Sequence, residues 1–167
     1  MIKRETWALV VPISLLPAIW SVVASFAGIS TAAVAMISAT LYVIVVKTTA
    51  DAVRMSVGFV LGVVTAVISL MIIGSLPLNF VVALTLTMIV MVALVIIVQS
   101  FIGKIADLFS WLCGFAVAMT VFGLVPPEQM MSVAVQLAVS MLAGIWWIGF
   151  VGVRIMGAIA GPPKSGE

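Results

Sequence analysis

The chain has 167 residues, of which 65% are hydrophobic and 7% charged, with a net charge of +2. Soluble domains are roughly 45–50% apolar and about 25% charged, so a water-soluble fold of this size has nowhere to hide the apolar surface. The balance also excludes a nucleic-acid partner, because the cations are few and scattered among short polar breaks rather than gathered in a patch.

Six apolar runs account for nearly the whole chain: 7–27, 30–46, 56–73, 80–102, 108–125 and 131–153. A helix crosses a bilayer core in about 20 residues, so each run reads as one span and residues 1–167 as a single transmembrane helical domain. The runs are too long for strands and lack alternation, which argues against a barrel. Breaks fall at Gly28, at 47–55, at Gly74-Ser75-Leu76-Pro77, at 103–107 and at Pro126-Pro127-Glu128, where Gly and Pro are ordinary punctuation. The apolar run behind the N-terminus holds Pro12 and Pro17 and lacks a small-residue cleavage site near its centre, so it reads as a retained first helix.

Lys and Arg favour the cytoplasmic side. With the N-terminus inside, Lys3, Arg4, Lys47, Arg54, Lys104, Arg154 and Lys164 all face the cytoplasm, and those are all 7 cations of the chain. The outer turns hold only Glu128. The expected fold class is therefore all-α, a polytopic membrane protein with six transmembrane helices and cytoplasmic N- and C-termini.

Taken in order, the first helix carries Pro12 and Pro17, each of which leaves a carbonyl four residues earlier without an amide. Ser14 and Ser21 are candidates to re-satisfy such groups. The loop at Lys47, Asp51 and Arg54 leads into Gly58-x-x-x-Gly62, continued by Ala66 and Ser69. Such spacing lets helix backbones approach closely. Gly114 and Ala118 in the fifth run and Gly144 in the sixth offer the same, so Gly58, Gly62, Ala66, Gly114, Ala118 and Gly144 are candidates for helix or subunit packing. Ala50-Asp51 followed by Gly58-Phe59 is echoed at Ala106-Asp107 followed by Gly114-Phe115, the pattern a two-helix duplication leaves.

Trp7, Tyr42 and Trp111 lie near loop charges, where an aromatic belt sits. Trp146 and Trp147 lie about 10–12 Å inward of Arg154 by helix rise, and Trp20 is also deep. With Ser140 and Gln136, these three tryptophans form the candidate pore lining. Gln136 is the strongest polar candidate, since an amide in apolar surroundings needs a partner.

What is missing is equally informative. No acid, base or histidine falls in the middle of any run. Charge at the bilayer centre costs about 2.5–3.5 kcal/mol on insertion scales and is normally kept for a task. Proton-coupled pumping is therefore disfavoured. No catalytic residue is expected, because a nucleophile–base pair cannot be assembled. Cys113 is the only cysteine, so no intrachain disulfide forms, and no metal or cofactor site is expected.

Ile19-Trp20, the Gly28-Ile29-Ser30 break, the Lys47 loop running into 56–62, and the stretch 101–115 together resemble a family of small six-span bacterial inner-membrane proteins, domain of unknown function 1097. Members carry Pro-Gly beside the fourth-to-fifth loop where this chain has Gly103-Lys104. The resemblance implies the six-span architecture and brings no functional residues. From the residues themselves, the expected function is a passive channel or facilitator for a small neutral polar solute such as urea, working as a homo-oligomer in the lipid bilayer. Pore width and lining hydrogen-bond groups would set its selectivity. The alternatives are a substrate-binding membrane subunit of a larger transporter and a non-transporting scaffold.

Overall fold

The computed structural model describes residues 4–45 and 48–160, and the side chains of 10–45 and 48–159. All regular structure among them is helical: α1 Arg4–Phe26, α2 Val34–Val45, α3 Thr49–Ser75, α4 Phe80–Ile102, α5 Leu108–Phe122, a 3-10 turn at Pro127–Gln129, α6 Met130–Ala143, a π-helical segment Gly144–Val151, and α7 Gly152–Ala160. Three stretches, Thr49–Ser75, Phe80–Ile102 and Pro127–Ile159, are long and apolar enough to cross a membrane. The chain is a membrane protein. The side chains of Lys3, Arg4, Trp7, Lys47 and Lys164 lie outside the described residues.

Helix boundaries follow from local hydrogen bonding. α1 closes with Gly28 at φ +70°, where the amide of Gly28 donates to Ser25 and that of Ile29 to Ala24. That pair of bonds caps a helix through one left-handed residue, which glycine adopts at no steric cost. The amides of Val34, Ala35 and Met36 then donate three residues back, to Thr31, Ala32 and Ala33. The expected second run at 30–46 thus begins with tight turns, and α2 itself has 12 residues, about 18 Å against a core of about 30 Å.

α3 starts at Thr49, seven residues before the expected 56. Thr48 and Asp51 form a capping box: the Asp51 amide donates to Thr48 Oγ1 at 3.2 Å and the Thr48 amide to Asp51 Oδ2 at 3.1 Å. Residues expected to be a charged loop are therefore the first turns of the helix. Asn79 caps α4, accepting from the Val81 amide at 3.0 Å. Asp107 caps α5, accepting from the Ser110 amide at 2.8 Å. Gly123 ends α5 three residues short of the expected 125 by turning its amide back onto Met119.

The chain forms two compact units, Met1–Val46 with Ser140–Glu167, and Lys47–Val139. In the first, α2 packs on the π segment and α1 on α7. Leu16, Ala35, Ala39 and Ile148 form its core, with Trp20, Val151 and Ile155 against them. A Cβ at Gly144 would run into the Ala35 carbonyl and Ser38 Oγ, and one at Gly149 would enter the Tyr42 ring.

In the second unit α3 and α5 make the closest contact. The Asp107 amide donates to the Arg54 carbonyl at 3.1 Å. Farther along, Gly58 faces Ser110 and Gly62 faces Phe115. Residue numbers rise together on both helices, so they run parallel and α4 returns between them. A Cβ on Gly62 would lie 2.5 Å from the Phe115 nitrogen and the Trp111 carbonyl oxygen, and one on Gly114 2.8 Å from the Phe59 carbonyl oxygen. Ala66 and Ala118 are fully buried. The Gly-Phe echo therefore has a packing reason, each glycine making room for the other helix's backbone. The acids of the echo play different parts: Asp51 is the third residue of its capped helix, while Asp107 is the cap itself.

Gly62→Ala forces α3 and α5 apart and is expected to cost about 1–3 kcal/mol. Gly74→Ala, whose Cβ meets nothing within 4 Å, should be neutral or gain up to about 1 kcal/mol. Unfolding in detergent followed by circular dichroism checks both, and equal midpoints for the two variants would contradict the crossing.

Candidate functional site

The eight residues of the π segment, GIWWIGFV, hold two of the candidate lining residues. π turns accommodate one more residue than α turns and occur disproportionately at functional sites. Here the distortion is gripped by α2. Ser38 Oγ donates to the Met141 carbonyl at 2.8 Å, one turn ahead of the segment, and Tyr42 lies on Gly149. Along another face, Trp146 and Phe150 are tilted 55° with centroids 5.5 Å apart. The Arg154 guanidinium sits 4.2 Å above the Phe150 ring, a cation–π contact at the polar end of the segment.

The other lining candidates are tied down. The indole N–H of Trp147 donates to the Leu16 carbonyl at 3.3 Å, and that of Trp20 to the Ala32 carbonyl at 3.1 Å. Ser140 is fully buried and shares a hydrogen bond of 3.1 Å with Thr31. Gln136 lies in the other unit, half-buried, with Nε2 3.4 Å from Ser132 Oγ. Trp20, Ser140, Trp146 and Trp147 belong to one unit, where Trp20, Ser140 and Trp147 bond to another helix or turn; Gln136, four residues before Ser140 on α6, falls in the other unit.

Two expectations about α1 and the aromatic belt are corrected. Ser14 and Ser21 donate to Val10 and Pro17, each four residues back, the usual self-bonding of helical hydroxyls. The carbonyls that the two prolines free, those of Ala8 and Ile13, are not their partners. Tyr42 and Trp111 are 5% and 6% exposed, too buried for a lipid-facing belt. The close α3–α5 crossing draws Trp111 inward beside Val95 and Ala106, and its indole N–H donates to Thr65 Oγ1 at 2.9 Å. Sequence reasoning did not single out Thr31, Thr65 or Ser38 above the other hydroxyls, and nothing in their spacing does so; only the fold brings their partners to them.

Charge gathers at helix ends. Arg54 reaches the Gly103 carbonyl and lies 3.8 Å from Asp51, tying the start of α3 to the α4–α5 turn. Among the described residues no three Cys, His, Asp or Glu side chains come together.

Two cavities stand near these elements. One, of about 160 Å³, is bordered by Pro12, Met36, Thr40, Ile148 and Val153 and is almost wholly apolar. The other, of about 540 Å³, opens where α3 ends and α4 begins, with Phe122 and Pro127 opposite. None of the five lining candidates borders either.

The buried hydroxyl pair predicts a measurable coupling. Thr31→Val and Ser140→Ala should each cost about 1–3 kcal/mol by stranding the other hydroxyl. The double variant should cost less than the sum, by about 0.5 kcal/mol or more. Strict additivity in a detergent unfolding cycle would place the two hydroxyls apart.

No curated protein and no solved structure matches the chain. The profile of a family described as protein of unknown function (DUF1097) matches residues 10–157, from the first half of α1 to the middle of α7. The chain belongs to the DUF1097 family.

Proposed function

We propose that this protein is a passive facilitator for a small neutral polar solute such as urea, crossing a bacterial inner membrane six times with both termini in the cytoplasm. One observation carries the reading. The described charged side chains, Asp51, Arg54, Lys104, Asp107, Glu128 and Arg154, all lie in turns or within the first or last two turns of a helical run. What remains between them is hydroxyl, indole and amide. Such groups exchange hydrogen bonds with a neutral solute and bring no titrating side chain for a coupled proton. The parallel course of α3 and α5 supports the alternating topology, since α4 must return between them.

Gly58, Gly62 and Gly114 are already covered within the chain. A homo-oligomer, if it supplies the path, uses other faces. Trp20, Ser140 and Trp147 act as braces in this reading, and Gln136 is the side chain to test for contact with the solute.

Proteoliposomes should take up labelled urea faster than empty vesicles, to equilibrium and no further, at a rate that a proton gradient does not change. Gln136→Ala should lower that rate severalfold if the amide meets the solute. Absence of permeability to urea, glycerol, ammonia and water above lipid alone would dispose of the facilitator.

A further inference from the structure

We propose that the segment Gly144–Val151 is a register switch set by α2: pressed against α2 it stays π-helical, and when α2 draws back it closes to α-helix and turns α7 by one residue, about 100°. Two glycines carry the inference. A Cβ at Gly144 would run into the Ala35 carbonyl and Ser38 Oγ, and one at Gly149 would come within 2.6 Å of the Tyr42 ring. Ala35, Ser38 and Tyr42 share one face of α2, so both glycines face that helix. In an α-helix, residues five apart point about 140° away from each other, and the two glycines could not meet one neighbour. A π turn closes its hydrogen bond over five residues and brings the fifth back to nearly the same face. The π geometry is therefore what lets α2 lie against both glycines at once.

The α form is always at hand, because long π-helical runs are rare on their own account. Closing to it forfeits what the neighbours supply. Ser38 Oγ would lose its bond to the Met141 carbonyl, at 2.8 Å, and Tyr42 its packing on Gly149. Trp147 would lose its indole bond to Leu16 on α1. α2 is short enough to move as a unit, with 12 residues and a left-handed turn at Gly28 ahead of it. There is also room. The cavity of about 160 Å³ lies against the joint, bordered by Pro12, Met36, Thr40, Ile148, Gly152 and Val153. A joint packed to interior density would not turn; this one has space beside it. Closing to α carries Gly152 off Leu16 and Pro12, brings Val151 into its place and swings Arg154 through the same angle. A displacement of α2 thus becomes a rotation of α7, as packed interfaces convert small shifts into discrete states. The device does not depend on what, if anything, the protein conducts.

The register can be read by disulfide closure. A Cβ at Gly152 would lie 3.8 Å from Pro12 Cβ, the usual spacing across a disulfide. On a Cys113→Ala background, Pro12→Cys with Gly152→Cys reports the π register, and Pro12→Cys with Val151→Cys the α register. The full chain is oxidised in membranes, and a maleimide–polymer gel shift counts the thiols left free. The first pair should close about tenfold faster than the second or more, as for an α state populated at about a tenth or less. Gly149→Ala, which drives a Cβ into the Tyr42 ring, should reverse that order. Ser38→Ala removes one bond and adds no atom, and should narrow the ratio about threefold or more, the worth of one hydrogen bond. Deletion of Trp146 takes out the extra residue: the segment becomes α-helical with Gly144 and Gly149 still facing α2. The first pair should therefore still close in the deletion variant, and the second should not. Loss of the first pair on deletion, a ratio unmoved by both Gly149→Ala and Ser38→Ala, or closure of neither pair in the unsubstituted segment would overturn the switch.

Discussion

The unit from 47 to 139 depends on three absent side chains. At Gly58, Gly62 and Gly114 the backbones of α3 and α5 come close enough that a single Cβ would enter main-chain atoms. In a bilayer, burying apolar surface brings helices little gain, because lipid is as apolar as the protein. What holds them is close van der Waals contact and a few hydrogen bonds. The crossing provides both. It seats Phe59 and Phe115 in full burial, and it brings the Trp111 indole to Thr65 and the Asp107 amide to Arg54. The parallel course of the two helices, and hence the return through α4, follows from the same contact.

The other unit applies the same rule with hydroxyls and indoles. Ser38, Thr31, Ser140, Trp20 and Trp147 each find a partner on a different helix or turn. With no water at that depth, an unpaired polar group costs several kcal/mol, so a buried polar side chain is already committed before any solute arrives.

Much of the helical layout was legible, and the reasons for the exceptions are physical. α4 runs over 80–102 as its apolar stretch indicates. The break at Gly28 is visible in the sequence because only a residue without Cβ takes that conformation freely. Thr48, Asp51 and Arg54 look like a solvated loop in the sequence, whereas a capping box makes Thr48 the cap of α3 and puts Asp51 and Arg54 in its first turns. The π segment carries no local signal; it depends on Ser38 and Tyr42 from a helix about a hundred residues earlier in the chain. Spacing alone marks the small-residue positions: Gly58, Gly62, Gly114 and Gly144 lie at close helix contacts, and Ala66 and Ala118 are buried. Residue type marks Trp20, Ser140 and Trp147 as lining candidates, and type does not disclose that they already have partners. The distance of Trp111 and Tyr42 from loop charge says nothing about which way a ring turns, and both turn inward.

Conduction without charge is the central claim, and the temperature dependence of urea permeability tests it most directly. A solute that exchanges water for protein hydrogen bonds avoids most of the cost of entering hydrocarbon. Proteoliposomes should therefore show faster urea flux with a shallower temperature slope than vesicles of the same lipid alone. The same rate and slope in both would contradict it.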